Sequence, residues 1–115
     1  MIEITILNYL KDNLIYKDKN IPCYLEKPLS KPDRYVVFEK TSSSKQNHIN
    51  QATFAFQSYG ESMYHAAGIN ESLKVVLEEM IELGEIGSVR LNSDYNYTDT
   101  ETKEYRYQAV FDIYY

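Results

Sequence analysis

Residues Glu104–Tyr115 read EYRYQAVFDIYY, and this stretch decides the fold. Every second residue in it is large or apolar, with one parity shared by Tyr105, Tyr107, Ala109, Phe111, Ile113 and Tyr115. A period of two with aromatic and β-branched side chains predicts a strand packed on at least one face. A second alternating run, Ser88–Tyr97, comes before it, and the polar bend Thr98–Lys103 joins the two. The sequence therefore predicts an antiparallel hairpin here.

Three more strands are predicted upstream of this hairpin. They are Ile21–Lys27, which is entered through Pro22, then Arg34–Lys40, then Ile49–Tyr59. The last of these alternates, with Ala52, Phe54 and Phe56 on one face. Between the second and third strands, Thr41–Asn47 (TSSSKQN) is polar and has no period, so it is interpreted as a mobile loop. Two interpretations stay open: the loop orders against a neighbour in an assembly, or it has no partner.

Two helices are predicted from apolar residues at helical spacing. The first covers Glu3–Tyr16, and the second runs from about Glu61 to Leu83. Gly84 is expected to end the second helix in the left-handed conformation. Gly68 marks either a break in this long helix or a close approach, and a continuous helix is the preferred interpretation. The apolar stripe of the long helix comprises Met63, Ala66, Asn70, Leu73, Leu77 and Met80, flanked by Ala67, Val76 and Ile81.

The resulting order, α-β-β-β-α-β-β, predicts a single α+β domain over residues 1–115. We expect a mainly antiparallel sheet of about five strands, with the N-terminal helix and the long helix packed on one face. Phe54, Phe56, Phe111 and Ile113 are the expected partners of the long helix's apolar stripe.

Composition limits the classes of function. The net charge of -5 argues against general affinity for nucleic acid, which depends on Lys and Arg neutralising phosphates. No apolar run approaches the roughly 20 residues of a membrane span, so no membrane association is expected. The start of the chain lacks the pattern of a secretory signal, and the single cysteine, Cys23, allows no intramolecular disulfide. We therefore expect the chain to fold inside a cell.

The residues that could carry chemistry are few. His48 and His65 have no second ligand at metal-binding spacing apart from Glu61, four residues before His65, and that pair is more often a surface ion pair. Cys23 lies in an apolar strand without a basic neighbourhood, so it is interpreted as a small buried hydrophobe. The serines of the Thr41–Asn47 loop lack the glycines of a nucleophile elbow. We expect no catalytic residue, no metal, no cofactor and no enzyme activity.

Tyrosine is the compositional outlier, with twelve residues and no tryptophan. Tyrosine gives a large contact area with a polar tip, which suits surfaces that are alternately wet and buried. Two interpretations stay open: a tyrosine-rich sheet with no further role, or an assembly surface.

Certain strings resemble a known group of proteins. The segment INQATFAFQSYGESMYHAAGINESLKVVLEEM, residues 49–80, together with RYVVFEKT and YRYQAVFDIYY, resembles the small tail-terminator, tail-completion or head–tail joining proteins of long-tailed bacteriophages and prophages. The resemblance covers nearly the whole chain in length and element order. It contains no motif that assigns a role to any single residue.

The resemblance implies a structural protein of the virion tail, assembled in the host cytoplasm. Proteins of this group form homo-oligomeric rings, usually hexamers, at the head-proximal end of the tail tube. The ring stops tube polymerisation and joins the tail to the head, so the implied partners are copies of this chain, the tail-tube protein and the head-completion or connector protein. In proteins of this group genomic DNA passes through the hole of the ring, so the resemblance implies no specific binding of DNA by this chain.

Candidate interface residues follow from the predicted sheet. We expect the terminal hairpin to expose free backbone groups at a sheet edge. Edge strands of monomers often carry lysines that hinder pairing with another chain, whereas this hairpin carries tyrosines. Together with the Thr41–Asn47 loop, this gives as candidate interface residues Ser42, Ser43, Ser44, Lys45, Asp94, Tyr95, Tyr97, Tyr105 and Tyr107.

The alternatives are another minor tail or tail-tube protein, a small regulatory or antitoxin-like binding protein, and a small enzyme not recognisable from its sequence. The long helix carries an acidic outer face with Lys74 as its lone base, and this face could line a lumen or simply face solvent.

Overall fold

The chain folds into two helices packed on one side of a five-stranded sheet, and the computed structural model describes all 115 residues. The helices are α1 (Ile2–Asn13) and α2 (Met63–Glu79), which a 3₁₀ turn at Met80–Glu82 continues. The strands are β1 (Ile15–Tyr16), β2 (Lys19–Asn20), β3 (Cys23–Tyr24), β4 (Tyr35–Gln46), β5 (Ile49–Gly60), β6 (Ser88–Asn96) and β7 (Tyr105–Tyr114).

The sheet has the strand order β3-β4-β5-β7-β6, and β1 and β2 form a separate two-stranded hairpin. The β4–β5, β5–β7 and β6–β7 pairs are antiparallel, whereas β3 runs parallel to β4. The predicted α+β class, with a mainly antiparallel five-stranded sheet and two helices, is confirmed.

The core forms between the helices and one face of the sheet. Phe54 and Phe56 of β5 and Phe111 and Ile113 of β7 are fully buried there, as the alternation predicted. They meet the α2 stripe, whose buried members are Ala66, Ile69, Asn70, Leu73 and Leu77, followed by Met80 of the 3₁₀ turn. The stripe prediction missed Ile69 and placed Ile81, which is half exposed, too close to the core.

The N-terminal helix docks against both layers. It buries Ile2, Ile6 and Leu10, and the hydroxyl of Tyr9 donates a 2.7 Å hydrogen bond to the carbonyl of Val76 in α2. The helix ends at Asn13, three residues before the predicted end, because Leu14 takes an extended conformation and leads into β1. The hairpin β1–β2 was not predicted. Its turn residues, Lys17 and Asp18, both have positive φ.

The prediction that Thr41–Asn47 forms a loop is wrong. Residues as far as Gln46 continue β4 and pair with β5, and only Asn47 and His48 form the turn. Both turn residues have positive φ, as a two-residue type I′ hairpin requires. The segment shows no hydrophobic period because all its side chains are exposed.

The first predicted strand is also shorter than expected. Only Cys23 and Tyr24 of the predicted Ile21–Lys27 run pair with β4, and the chain then leaves the sheet. The residues after Tyr24 form an irregular segment that returns to β4 at Tyr35.

Two glycines of the long-helix prediction have different outcomes. The helix is continuous through Gly68, where an added Cβ would lie 2.6 Å from the Tyr16 ring, so a close approach explains this glycine. The predicted left-handed stop at Gly84 is wrong, because no glycine has positive φ. The helix instead tightens into the 3₁₀ turn and ends at the extended residue Leu83.

Candidate assembly surfaces

The sheet face opposite the helices is open, and it is lined by polar and tyrosine side chains. We call it the open face. It is formed by the alternate residues that point away from the core, which are Tyr35, Val37, Glu39, Ser42 and Ser44 of β4, Gln51, Thr53, Ala55, Gln57 and Tyr59 of β5, Arg106, Gln108, Val110, Asp112 and Tyr114 of β7, and Ser88, Arg90, Ser93 and Tyr95 of β6.

One half of the open face is a hydrogen-bonded chain across three strands. The Tyr59 hydroxyl donates to Gln57 Oε1 (3.0 Å), and Gln57 Nε2 donates to Gln108 Oε1 (2.9 Å). Gln108 Nε2 in turn donates to the Tyr95 hydroxyl (2.6 Å). The Arg106 guanidinium carbon lies 4.6 Å from the Tyr97 ring centroid, and its Nε donates to the Tyr97 carbonyl. These side chains supply hydrogen-bond partners for one another across the sheet.

The other half is organised around Asp112. Its Oδ1 accepts hydrogen bonds from the Thr53 hydroxyl (2.7 Å) and from Gln51 Nε2 (3.2 Å), and Asn92 Nδ2 lies 3.4 Å from its Oδ2. The sequence prediction missed this polar face. The available signal was the run of Gln and Thr at the outward parity of the two predicted strands.

The sheet has one free edge at β4. Because β3 pairs only with Val36 and Val37, the outer side of β4 is unpaired from Phe38 to Gln46. Ser42, Ser43, Ser44 and Lys45 lie on this edge and are exposed, so the structure puts them on a paired ribbon with one free side. A β-bulge between Lys40 and Ser42 interrupts the register.

The second free edge is β6, at the opposite side of the sheet. Its outer side is unpaired along Ser88–Asn96, and it has its own bulge between Leu91 and Ser93. Tyr95 lies on this edge, with Tyr97 just beyond it, and their rings pack edge to face at 6.0 Å. Both rings are exposed.

Asp94 belongs to the β6 edge by its backbone, but its side chain turns towards α2. Its Oδ2 accepts 2.9 Å hydrogen bonds from Asn70 Nδ2 and from Lys74 Nζ. The Lys74 hydrogen bond, together with that from Asn70, lowers the pKa of the Asp94 carboxyl against the opposing effect of burial. This clamp ties β6 to α2.

The expected placement of Tyr105 and Tyr107 at an exposed edge is wrong. Strand β7 lies between β5 and β6, so its backbone is paired on both sides. Both tyrosines share the parity of Ala109 and Phe111 and point to the helix side, where they are half buried. The predicted hairpin does reach an edge, but β6 forms that edge.

The predicted interface residues therefore form two separate groups instead of one site. Ser42–Lys45 lie on one edge of the sheet, and Asp94, Tyr95 and Tyr97 lie at the other, with β5 and β7 between them. Tyr105 and Tyr107 belong to neither group.

The titratable residues outside these surfaces make local contacts. Glu61 pairs with Arg34 (2.8 Å) instead of His65, and the Arg34 hydrogen bond lowers the pKa of the Glu61 carboxyl. A guanidinium nitrogen of Arg34 lies 3.3 Å from His65 Nε2, and His65 Nδ1 lies 3.0 Å from the Tyr16 hydroxyl. Because Arg34 can only donate, Nε2 accepts and Nδ1 carries the proton in the neutral ring.

Cys23 is buried, as predicted. Burial raises the pKa of its thiol to about 12, against a smaller opposing effect of Lys11, so the group stays a thiol. No group of three or more His, Cys, Asp and Glu side chains is placed to hold a metal ion. Neither helix combines the length and the apolar character that crossing a membrane requires.

Neither a scan against protein-family models nor a search of curated proteins finds a match.

Proposed function

We propose that this protein is a ring-forming subunit of a phage tail, which stops tail-tube polymerisation and joins the tail to the head. One observation supports the ring above all others: the sheet has two different unpaired edges, and the predicted contact residues of β4 and β6 lie on them. A head-to-tail contact between two different surfaces closes into a ring when the rotation between subunits divides a full turn.

Strand direction makes the two edges compatible. From β4 through β5 and β7 to β6 every pair is antiparallel, so β4 and β6 run in opposite directions. A second copy in the same orientation therefore brings its β6 beside β4 in antiparallel order. The sheet continues from one subunit to the next without inversion.

The free backbone groups of β4 can be assigned from the ladder. Asn50 exchanges both of its backbone hydrogen bonds with Tyr115, so its peptide groups point away from β4. Its partner on β4 is Lys45, whose N–H and C=O therefore point outwards, and so do those of Ser43. These outward groups are the donors and acceptors that a neighbouring β6 would use.

If the outer face of α2 lined the hole of such a ring, its charge would let DNA pass without being retained. The outer face of α2 carries exposed Glu71, Glu78 and Glu79, and its base Lys74 is already paired with Glu71 and Asp94. Nucleic acid is retained by cationic groups that replace its counterions, and this face provides none that is unpaired. The tail-tube protein and a head-completion or connector protein are the further partners of the proposed ring.

The position of the protein on purified tails tests this function. Antibody labelling or cross-linking should find it at the head-proximal end alone. Labelling scattered along the tube would assign it to the tube or to another minor tail component. Absence from the tails would overturn the assignment, and a small binding protein would then be the better interpretation.

A further inference from the structure

The segment Glu26–Asp33, which we call the strap, lies between β3 and β4 and has no backbone hydrogen bonds. None of its N–H or C=O groups bonds to another group of the protein. Pro28 and Pro32 remove two of its donors, and Leu29 stands at its centre with its side chain fully exposed (105%). A segment of this kind opens at low cost, because little of the native structure is lost when it moves.

Charged side chains hold the strap in place. Lys27 Nζ lies 2.8 and 3.0 Å from the two oxygens of Glu104, and Lys31 Nζ lies 3.7 Å from the same carboxylate. The Lys27 hydrogen bond lowers the pKa of the Glu104 carboxyl. All three side chains are partly exposed, at 36%, 48% and 28% for Lys27, Lys31 and Glu104, so solvent and salt weaken these contacts.

A pair of stacked tyrosines lies next to the strap. The rings of Tyr35 and Tyr59 are parallel within 5° at a centroid distance of 4.5 Å, and Lys27 Nζ lies 5.2 Å from the Tyr59 ring centroid. Both residues are buried, although they lie outside the main core on the open face. An open cavity of about 240 Å³ is lined by Lys31, Pro32 and Asp33 of the strap and by both tyrosines.

We propose that Glu26–Asp33 is an electrostatically latched strap, which opens when its contacts with Glu104 are lost and then uncovers the Tyr35–Tyr59 pair. Closed, it hides an aromatic surface on the open face. Open, it presents that surface beside Leu29. This proposal concerns the single subunit and does not depend on the proposed ring.

Nuclear magnetic resonance of the full chain tests the latch. In the closed state the Tyr59 ring shields the side-chain protons of Lys27, which displaces their resonances. We expect Glu104→Gln to abolish most of this displacement and to lower the order parameter of the Leu29 amide below about 0.6, the range of flexible backbone. Sodium chloride added to the unmodified protein should produce the same changes progressively, because it screens the same contacts.

Glu101→Gln is the matched control, since Glu101 is an exposed acid of the same turn without an ion pair. It should leave the Lys27 and Leu29 signals unchanged. The resonances of the buried Phe111 report whether each variant is folded, and the salt titration tests the latch even if Glu104→Gln does not fold. Unchanged Lys27 and Leu29 signals in a folded Glu104→Gln variant, or across the salt titration, would overturn the proposal.

Discussion

At the scale of the residue, close packing explains which side chains occupy the buried side of α2. Gly68 leaves room for the Tyr16 ring, which would lie 2.6 Å from an added Cβ, and Leu73 and Leu77 fill the layer between α2 and the sheet. Two buried polar atoms, Ser58 Oγ and Asn70 Oδ1, lack a partner within the protein. Both atoms lie on the helix side of the sheet. The other polar atom of the Asn70 amide, Nδ2, donates a hydrogen bond to Asp94 Oδ2.

Leu77→Ala should lower the free energy of unfolding by about 2–5 kcal/mol, the usual effect of truncating a fully buried leucine. Urea denaturation measures the change. Val75→Ala is the matched control on the same helix, since Val75 is 56% exposed, and it should change stability by about 0.5 kcal/mol or less. Equal effects of the two substitutions would contradict the described core.

The hydrogen bonds of Asp94 to Asn70 and Lys74 predict that the free energy of unfolding depends on pH below about pH 4. Because the pKa of Asp94 is lowered in the folded state, its contribution to stability is present above the ordinary carboxyl pKa of 3.8 and is lost as pH falls through the folded value. Asp94→Asn should therefore flatten the fall of stability at acidic pH. Denaturation curves between pH 6 and pH 2 measure this, and identical slopes for the two proteins would contradict the clamp.

At the scale of the element, alternation predicted the strands that have one buried face. It failed for Thr41–Gln46, where both faces are exposed and the period disappears although the backbone stays paired. It also missed β1 and β2, since two residues are too few to show a period. The sequence predicted that β6 and β7 pair with each other, but it did not predict that β7 also pairs with β5. The β5–β7 pairing joins segments that are distant in the chain, so local patterns do not reveal it. Because of this pairing, Tyr105 and Tyr107 lie on an interior strand and not on an edge.

The β4–β5 turn allows a direct test of the corrected hairpin. Because His48 has φ near 66°, a conformation that suits glycine, His48→Gly should be tolerated or slightly stabilising. His48→Val should destabilise the protein by about 1 kcal/mol or more, since β-branched residues are strained at positive φ. Thermal unfolding compares the two. If His48→Val were more stable than His48→Gly, the turn would not be type I′.

At the scale of the whole molecule, the two sheet edges predict how copies meet. Ser43→Pro removes an outward N–H from β4 and leaves the ladder to β5 intact, because proline is tolerated on an edge whose donor faces solvent. It should abolish assembly while the unfolding transition of the subunit is largely retained. Ser43→Thr keeps the donor and should assemble normally. Assembly of Ser43→Pro at the level of the unmodified protein would exclude β4 from the contact.

The most direct test of the proposed ring is the molar mass of the unmodified protein, measured by sedimentation equilibrium from micromolar to millimolar concentration. We predict that the mass rises from that of the 13.5 kDa chain to a fixed limit about six times larger. A limit of this kind means that the contact between subunits closes on itself, and the Ser43→Pro variant tests whether β4 forms that contact. A mass that stays at one chain up to the highest concentration, or that grows without limit, would contradict the ring.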